Sequence, residues 1–181
     1  MVHRLFVALR PPRPIRDSLI ACMHGVERAR WQDDGQLHLT LRYVGEVDRN
    51  TANDLAEALG SITVPAFTVT LADTGLFERK GVPHTLWAGV KRSDALLRLQ
   101  RKVERVCQSV GLPAEGRKFT AHVTLARLNG ASGPVQSFLA RTAGQRFGSW
   151  LADGFALYES HLRPEGSLYE EMVGYPLGPQ D

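Results

Sequence analysis

The sequence predicts an α+β protein of two lobes related by an approximate twofold axis, with mainly antiparallel sheets lining a central cleft. Segments of alternating apolar residues, typical of strands, and segments with helical apolar spacing follow one another in the order β-α-β-α-β-β-α-β-α-β-β. This order contains more strands than simple β-α-β crossovers need, which favours a mixed or antiparallel sheet. A tetrapeptide also repeats, since HLTL at 38–41 recurs as HVTL at 122–125. Each copy lies in a predicted strand that follows a predicted helix, as two related half-domains would require.

The first half of the chain predicts two strands, each followed by a helix. Residues 3–10 (HRLFVALR) form the first strand, which the prolines after it interrupt. Apolar residues at helical spacing predict a helix over about residues 14–28. The strict alternation of LHLTLRYV predicts a strand at 37–44 that ends at Gly45, and Asn50 is the expected N-cap of the next helix.

The second half is richer in strands and ends in a predicted hairpin whose turn is LRPEG at 162–166. Ser93 is a suitable N-cap and Gly111 a suitable end for one helix, and another is expected near 134–143. The strands are predicted at 66–72, 84–90, 120–127, 153–161 and 167–175. No low-complexity segment or long linker divides the chain, so residues 1–181 are expected to form a single domain of two interleaved lobes.

Composition indicates an ordinary globular chain with a mild excess of positive charge. The net charge is +3 and the pI about 9.1, which suits an anionic ligand. Arginine, the dominant cation, suits phosphate, although an arginine-rich composition can equally reflect a GC-rich genome. Cys22 and Cys107 belong to no CxxC motif, so we expect free thiols. The apolar run at 5–9 is too short for a signal peptide or a membrane span, which predicts a soluble, cytoplasmic protein with no membrane partner.

The repeated motif places two kinds of reactive side chain on one strand face. Because side chains alternate along a strand, His38 and Thr40 share a face, as do His122 and Thr124. Histidine can act as acid or base near neutral pH, and threonine hydroxyls can donate hydrogen bonds to phosphate oxygens. This set suits the opening of a cyclic phosphodiester. No Asp or Glu cluster with metal-ligand spacing accompanies the histidines, so we expect no metal site.

Blander interpretations of the motif have to be weighed against this one. A single His-x-Thr in a strand is common, and both side chains could simply face solvent. Two four-residue copies in matching contexts make that interpretation much weaker. A duplication that has lost its activity would also preserve the repeat.

The two motifs also resemble the signatures of a known group of enzymes. HLTLRYVG at 38–45 and HVTLAR at 122–127 are similar to the paired signatures of the 2H phosphoesterase superfamily. Within it, the chain most resembles the RNA 2′,3′-cyclic phosphodiesterases, historically called 2′-5′ RNA ligases. The opening RLFVALRPP and the tail LYESHLRPEGSLYEEM extend the resemblance over nearly the whole chain. It implies a bilobal α+β fold, no cofactor, hydrolysis to a 2′-phosphomonoester, and weak, reversible 2′-5′ joining of RNA.

The resemblance also implies roles for the four motif residues. His38 would be the general acid toward the 3′ oxygen, and His122 would hold and deprotonate the water. The two assignments can be exchanged, because a site with approximate twofold symmetry can be interpreted either way. Thr40 and Thr124 would donate hydrogen bonds to the phosphate.

Three further residues are candidates for substrate binding. Arg127 stands where family members often place a substrate-binding cation, but it has the opposite strand parity to His122 and reaches the cleft only if the strand bends, bulges or ends. Arg42 departs from the small or apolar residue usual in the family, and it would contact phosphate or line the rim of the cleft. Phe119 would stack on a base or belong to the core.

The expected ligand is RNA with a 2′,3′-cyclic phosphate end, tRNA fragments among them, bound by a monomer. Two alternatives stay open. The same site could act on small cyclic nucleotides, in which case the rate would not depend on RNA length. The protein could also be a non-catalytic module that binds RNA ends, in which case binding would survive alanine at either histidine.

Overall fold

The computed structural model describes residues 1–179, which form nine strands, four helices and one 3₁₀ turn at Asp34–Gln36. The strands are β1 (Val2–Leu9), β2 (Arg30–Trp31), β3 (Leu39–Asp48), β4 (Phe67–Arg79), β5 (Val82–Val90), β6 (His122–Arg127), β7 (Arg146–Ala152), β8 (Gly154–His161) and β9 (Leu168–Pro176). The helices are α1 (Arg13–Ala21), α2 (Arg49–Leu59), α3 (Asp94–Ser109) and α4 (Gln136–Thr142). Within residues 1–179, no helix combines the length and the apolar character that a membrane crossing needs.

The nine strands belong to one sheet of order β7-β4-β5-β6-β3-β1-β8-β9, with β2 paired to β6. The pairings between these named strands are antiparallel, which confirms the predicted fold class. Four strands of this order lie on each side of the boundary between β3 and β6, the two strands that carry the motifs, and β2 adds a fifth on the β6 side. β3 and β6 meet where Leu39 is paired with Val123. The two motifs are therefore neighbours at the middle of the sheet, and we infer that the two halves of the sheet are the predicted lobes.

The apolar residues of the motifs anchor both central strands in the core. Leu39, Leu41, Val123 and Leu125 are each at most 2% exposed. Burial of such a side chain contributes about 2 kcal/mol. Their faces are fixed by this burial, so the alternating histidine and threonine must point to the opposite side of the sheet.

Three predicted boundaries in the first half were wrong. β3 continues past Gly45 to Asp48, because Gly45 adopts a φ of 85° at an irregularity in the pairing with β1. The next helix is capped by Asp48, whose side chain accepts a hydrogen bond from the Thr51 backbone N–H, and not by Asn50. α1 ends at Ala21, well before residue 28.

The structure also contains two strands that the sequence pattern did not predict, the two-residue β2 and the longer β7. β7 pairs along β4, which is longer than expected because a bulge near Asp73 lets it continue to Arg79. Gly148 lies within β7 at a φ of 125°, and a Cβ there would lie 2.4 Å from the Ile15 side chain. A glycine weakens the strand pattern, yet the φ of 125° favours glycine at this position, and the end of the Ile15 side chain packs against its bare backbone.

Candidate active site

A matched pair of bulges decides which motif side chains face the cleft. In β3 the extra residue is Leu41, because neighbouring residues of β1 pair with Thr40 and Arg42. In β6 it is Leu125, because neighbouring residues of β5 pair with positions 124 and 126. Such a bulge shifts the alternation of side chains by one residue. The two bulges occupy the same position in the two motifs, as the internal repeat requires.

Beyond each bulge, a residue of the opposite parity turns toward the cleft. In β6 this residue is Arg127, which lines the cavity next to His38. Arg127 donates a hydrogen bond to the Thr85 hydroxyl at 3.1 Å, which holds the guanidinium there. The bulge that Arg127 needed is thus present. In β3 the matching residue is Tyr43, which lines the cavities beside both histidines and which the sequence analysis missed.

Arg42 borders the cavity beside His122, but groups of the protein itself bind its guanidinium. Its side chain is 6% exposed and forms an ion pair with Glu104 of α3. The remaining nitrogens donate to the Pro113 carbonyl at 2.7 Å and to the Tyr43 carbonyl at 3.1 Å. Because the bulge at Leu41 turns Arg42 away from His38, this arginine ties β3 to α3 and to the loop after it.

His38 is almost entirely enclosed by aromatic rings. It is 6% exposed, and its ring centre lies 4.5 Å from that of Tyr158, 5.5 Å from that of Tyr169 and 5.8 Å from that of Phe6. Among the described residues, neither ring nitrogen has a hydrogen-bond partner. An unpartnered buried polar atom is costly, so a cleft that keeps one suits a ligand that supplies the partner.

This enclosure changes the acidity of the ring. Burial lowers the pKa of His38 from 6.5 to about 4, and the positive charges of Arg10 and Arg16 act in the same direction. The Gln36 backbone raises the pKa of His38 and so offsets a part of this lowering. His38 is therefore neutral at pH 7 in the free protein.

His122 is held in one tautomer by its own strand. Its Nδ1–H donates to the Thr120 carbonyl at 2.7 Å, which leaves the lone pair of Nε2 available. The Phe77 ring packs edge-on against it at 4.9 Å. Burial lowers the pKa of His122 below 6.5, and Arg127 acts in the same direction, whereas the bond to Thr120 partly offsets both. His122 is thus a neutral, oriented imidazole.

Each motif threonine lies across from the histidine of the other motif. The Leu39–Val123 pair, continued by one residue on each side, sets His38 across from Thr124 and Thr40 across from His122. Two adjoining cavities lie beside the two histidines, and Thr40 borders both. The one beside His38 is lined by Phe6, Gln32, Gln36, His38, Thr40, Tyr43, Thr124, Arg127, Ser160 and Tyr169. The one beside His122 is lined by Thr40, Leu41, Arg42, Tyr43, Phe77, Gln100, Glu115, Arg117, Lys118, Phe119, Thr120 and His122.

Comparison with known proteins agrees with this arrangement. The family model described as LigT-like phosphoesterase matches residues 9–87 and 89–169, one range around each motif. The chain belongs to the LigT-like phosphoesterase family. An Aeropyrum pernix RNA 2′,3′-cyclic phosphodiesterase is 35% identical over 161 residues, which are 87% of this chain and 90% of that one. One from Archaeoglobus fulgidus is 28% identical over 172 residues, which are 93% and 97% of the two chains.

A solved structure extends the likeness to three dimensions. The crystal structure of Escherichia coli LigT complexed with 3′-AMP has a TM-score of 0.81 against this chain, with 27% sequence identity. The alignment covers 98% of this chain and 99% of the other. This LigT-like phosphoesterase therefore shares the fold of its family over 98% of the chain.

Phe119, the remaining substrate-binding candidate of this LigT-like phosphoesterase, is half-buried and borders the cavity beside His122. Within residues 1–179, one group of side chains has metal-ligand spacing, namely Glu159, His161 and Glu170 on β8 and β9. Neither motif histidine belongs to this group.

The burial of His38 predicts an acid-sensitive fold. The pKa is about 4 in the folded protein and 6.5 in the unfolded chain, so between these values the unfolded chain binds a proton that the folded protein does not. The free energy of unfolding should therefore fall as the pH drops through this window, by about 3 kcal/mol in total. Urea unfolding at pH 7.5 and pH 4 of the intact protein and of His38→Gln measures the effect. The same loss in both proteins would contradict it.

Proposed function

We propose that this protein hydrolyses the 2′,3′-cyclic phosphate ends of RNA to 2′-phosphomonoesters by two-histidine acid and base catalysis. The observation that carries the proposal is the pairing of two His-x-Thr motifs at the middle of one sheet, with an unpartnered His38 and an oriented His122. Cyclic phosphodiesterase activity is the common feature of the relatives, since the names of those from Aeropyrum pernix and Archaeoglobus fulgidus specify RNA 2′,3′-cyclic phosphates.

His122 is the general base of this mechanism. Its free Nε2 takes a proton from water as the water oxygen attacks phosphorus. The imidazolium that forms is stabilised by the hydrogen bond from Nδ1–H to the Thr120 carbonyl. A lowered pKa suits a base that must be unprotonated before the reaction.

His38 is the general acid, because the bound substrate favours its protonated form. In the free protein the pKa of about 4 leaves His38 neutral at pH 7. A phosphodiester anion beside the ring favours the protonated form and raises that pKa. The bond between phosphorus and the 3′ oxygen then breaks, His38 gives its proton to that oxygen, and the phosphate stays on the 2′ oxygen.

The neighbouring polar groups hold the phosphate. The Thr40 and Thr124 hydroxyls donate to the non-bridging oxygens, and Arg127 neutralises their charge. Phe119 offers a ring on which a base can stack at the edge of the cavity beside His122. If a 5′-hydroxyl of a second RNA replaces the water, the same steps form a 2′-5′ bond, so we expect weak and reversible joining as a side reaction.

The proposal is tested with a short RNA that ends in a 2′,3′-cyclic phosphate, incubated with the purified protein in excess EDTA. We expect conversion to an end that carries a 2′-phosphate and a 3′-hydroxyl, resolved by chromatography against both phosphate isomers. A 3′-phosphate product, or no conversion, would refute the mechanism.

Small cyclic nucleotides are a second candidate, because Escherichia coli LigT was crystallised with 3′-AMP. The same assay on nucleoside 2′,3′-cyclic monophosphates decides between them. A kcat/KM that rises with RNA length identifies RNA as the substrate, and a value independent of length identifies the nucleotide.

Replacement of Arg127 should weaken substrate binding. A charge-assisted hydrogen bond contributes about 1.5–3 kcal/mol, so Arg127→Met should raise KM about 10- to 100-fold with a smaller loss in kcat. Steady-state kinetics on the short RNA measure both constants. Arg146→Met removes an exposed arginine from β7 and serves as the matched control. An unchanged KM in Arg127→Met would exclude the contact.

A further inference from the structure

The outer face of α3 carries a row of cations that the proposed chemistry does not use. They lie at positions i, i+3, i+4 and i+7, so they share one face of the helix. We call them the α3 stripe: Arg98, Arg101, Lys102 and Arg105. The arginines are exposed and the lysine is half-buried. The opposite face packs into the core through Leu96, Leu99, Val103 and Cys107.

The charges of the α3 stripe are not neutralised within the described part of the chain. None of the four cations forms an ion pair with a carboxylate there, whereas many other arginines do. The acidic residues of α3 are engaged elsewhere, because Asp94 pairs with Arg92 and Glu104 with Arg42. Lys102 donates to the Thr63 carbonyl at 2.9 Å, which positions the ammonium but leaves its charge. Like charges three and four residues apart repel one another, so the stripe does not serve the stability of the helix.

The stripe lies on the helix that borders the cleft. Gln100, on a different face of α3, lines the cavity beside His122 together with Lys118 and with Arg117, which forms an ion pair with Glu115. Lys118 is exposed and has no carboxylate partner among the described residues, so the rim of this cavity adds positive charge near α3. At 1.5 Å per residue, the stripe is about 10 Å long. Several phosphates of a nucleic acid fit along such a length.

We propose that the α3 stripe is a docking surface for the phosphate backbone of an RNA whose cyclic phosphate end occupies the cleft. This inference rests on the proposed function and adds a site outside the catalytic cavities. Arginine forks bind phosphate without regard to base sequence, so the surface selects RNA that extends beyond the end nucleotides. It would favour folded RNA over dinucleotides.

The test compares two substrates and two charge-neutralised variants. The stripe variant carries Arg98→Gln, Arg101→Gln, Lys102→Gln and Arg105→Gln. The control variant removes four exposed cations elsewhere, through Arg49→Gln, Arg79→Gln, Lys80→Gln and Arg146→Gln. The substrates are a dinucleotide and an RNA hairpin with a single-stranded 3′ tail, each with a cyclic phosphate end, and kcat/KM is measured from 50 to 200 mM KCl.

For the stripe variant we expect an unchanged kcat/KM on the dinucleotide and a loss of about tenfold or more on the hairpin at 50 mM KCl. The slope of log kcat/KM against log salt concentration should become shallower by about 3. The control variant should match the intact protein on both substrates. Equal loss in both variants, no loss on the hairpin, or a comparable loss on the dinucleotide would each overturn the inference.

Binding separates this inference from the proposed function. If the intact protein hydrolyses neither the dinucleotide nor the hairpin, the proposed function is wrong, and the stripe is then tested by fluorescence anisotropy with the labelled hairpin. Binding at least about tenfold weaker in the stripe variant than in the control variant supports an RNA-docking surface. Equal affinity shows that the stripe is only a solvated helix face.

Discussion

Alanine at His38 or at His122 is expected to lower kcat on the cyclic phosphate end by about 10³-fold, because each ring performs one proton transfer of the reaction. KM should change little, since the phosphate is held by the threonines and Arg127. His161→Ala removes an exposed histidine from β8 and is the matched control. The two single variants and the double variant should be similarly slow, because the two groups act as a unit. A kcat within tenfold of that of the intact protein in either variant would contradict the mechanism.

A modified substrate separates the acid from the base. When sulfur replaces the 3′ oxygen, the leaving group is a thiolate, which departs without a proton because thiols are much more acidic than alcohols. We expect this substrate to restore most of the rate of His38→Ala and little of the rate of His122→Ala. The reverse pattern would exchange the two roles, which the symmetry of the site allows.

Loss of the Glu104 carboxylate is expected to destabilise the fold by about 3 kcal/mol, because Arg42 would be left as a buried charge without a partner. Burial works against ionisation of Glu104, but hydrogen bonds from the Glu115 backbone and from Arg42 outweigh it and hold the pKa below its usual value. Urea unfolding of Glu104→Ala at pH 7 measures the loss. Because the guanidinium of Arg42 is bound by backbone carbonyls and Glu104 and not by the phosphate of the proposed mechanism, kcat/KM of the folded variant should stay within about threefold of the intact protein, well below the effect expected for one lost charge-assisted contact.

Replacing both partners of this ion pair provides the control. Arg42→Met combined with Glu104→Leu should cost less than the sum of the single substitutions, since no charge is left unpaired. If Arg42→Met instead preserved stability and raised KM as Arg127→Met should, Arg42 would be a substrate ligand after all.

The periodicity of the sequence was sufficient to predict the fold class and the faces of the motif residues. The alternation around His38 and His122 depends on burial of the intervening leucines and valine, which is a local property of each strand. The cap at Ser93 is equally local, and its side chain accepts from the Leu96 backbone N–H as predicted. Such features need no knowledge of the pairing between distant segments.

What the sequence by itself determined is therefore the pair of motifs, their strands and the side chains they present. Only the tertiary structure decided that Arg127 and Tyr43 face the cavity beside His38 and that Arg42 does not. The bulges responsible arise from the register between β3 and β1 and between β6 and β5, which no single segment encodes. The acidity of His38 likewise depends on Tyr158 and Tyr169, which belong to the last two strands of the chain. They reach His38 because β8 pairs with β1 and β9 pairs with β8. Burial by distant residues sets the pKa, so the chemistry of this histidine is a property of the folded sheet.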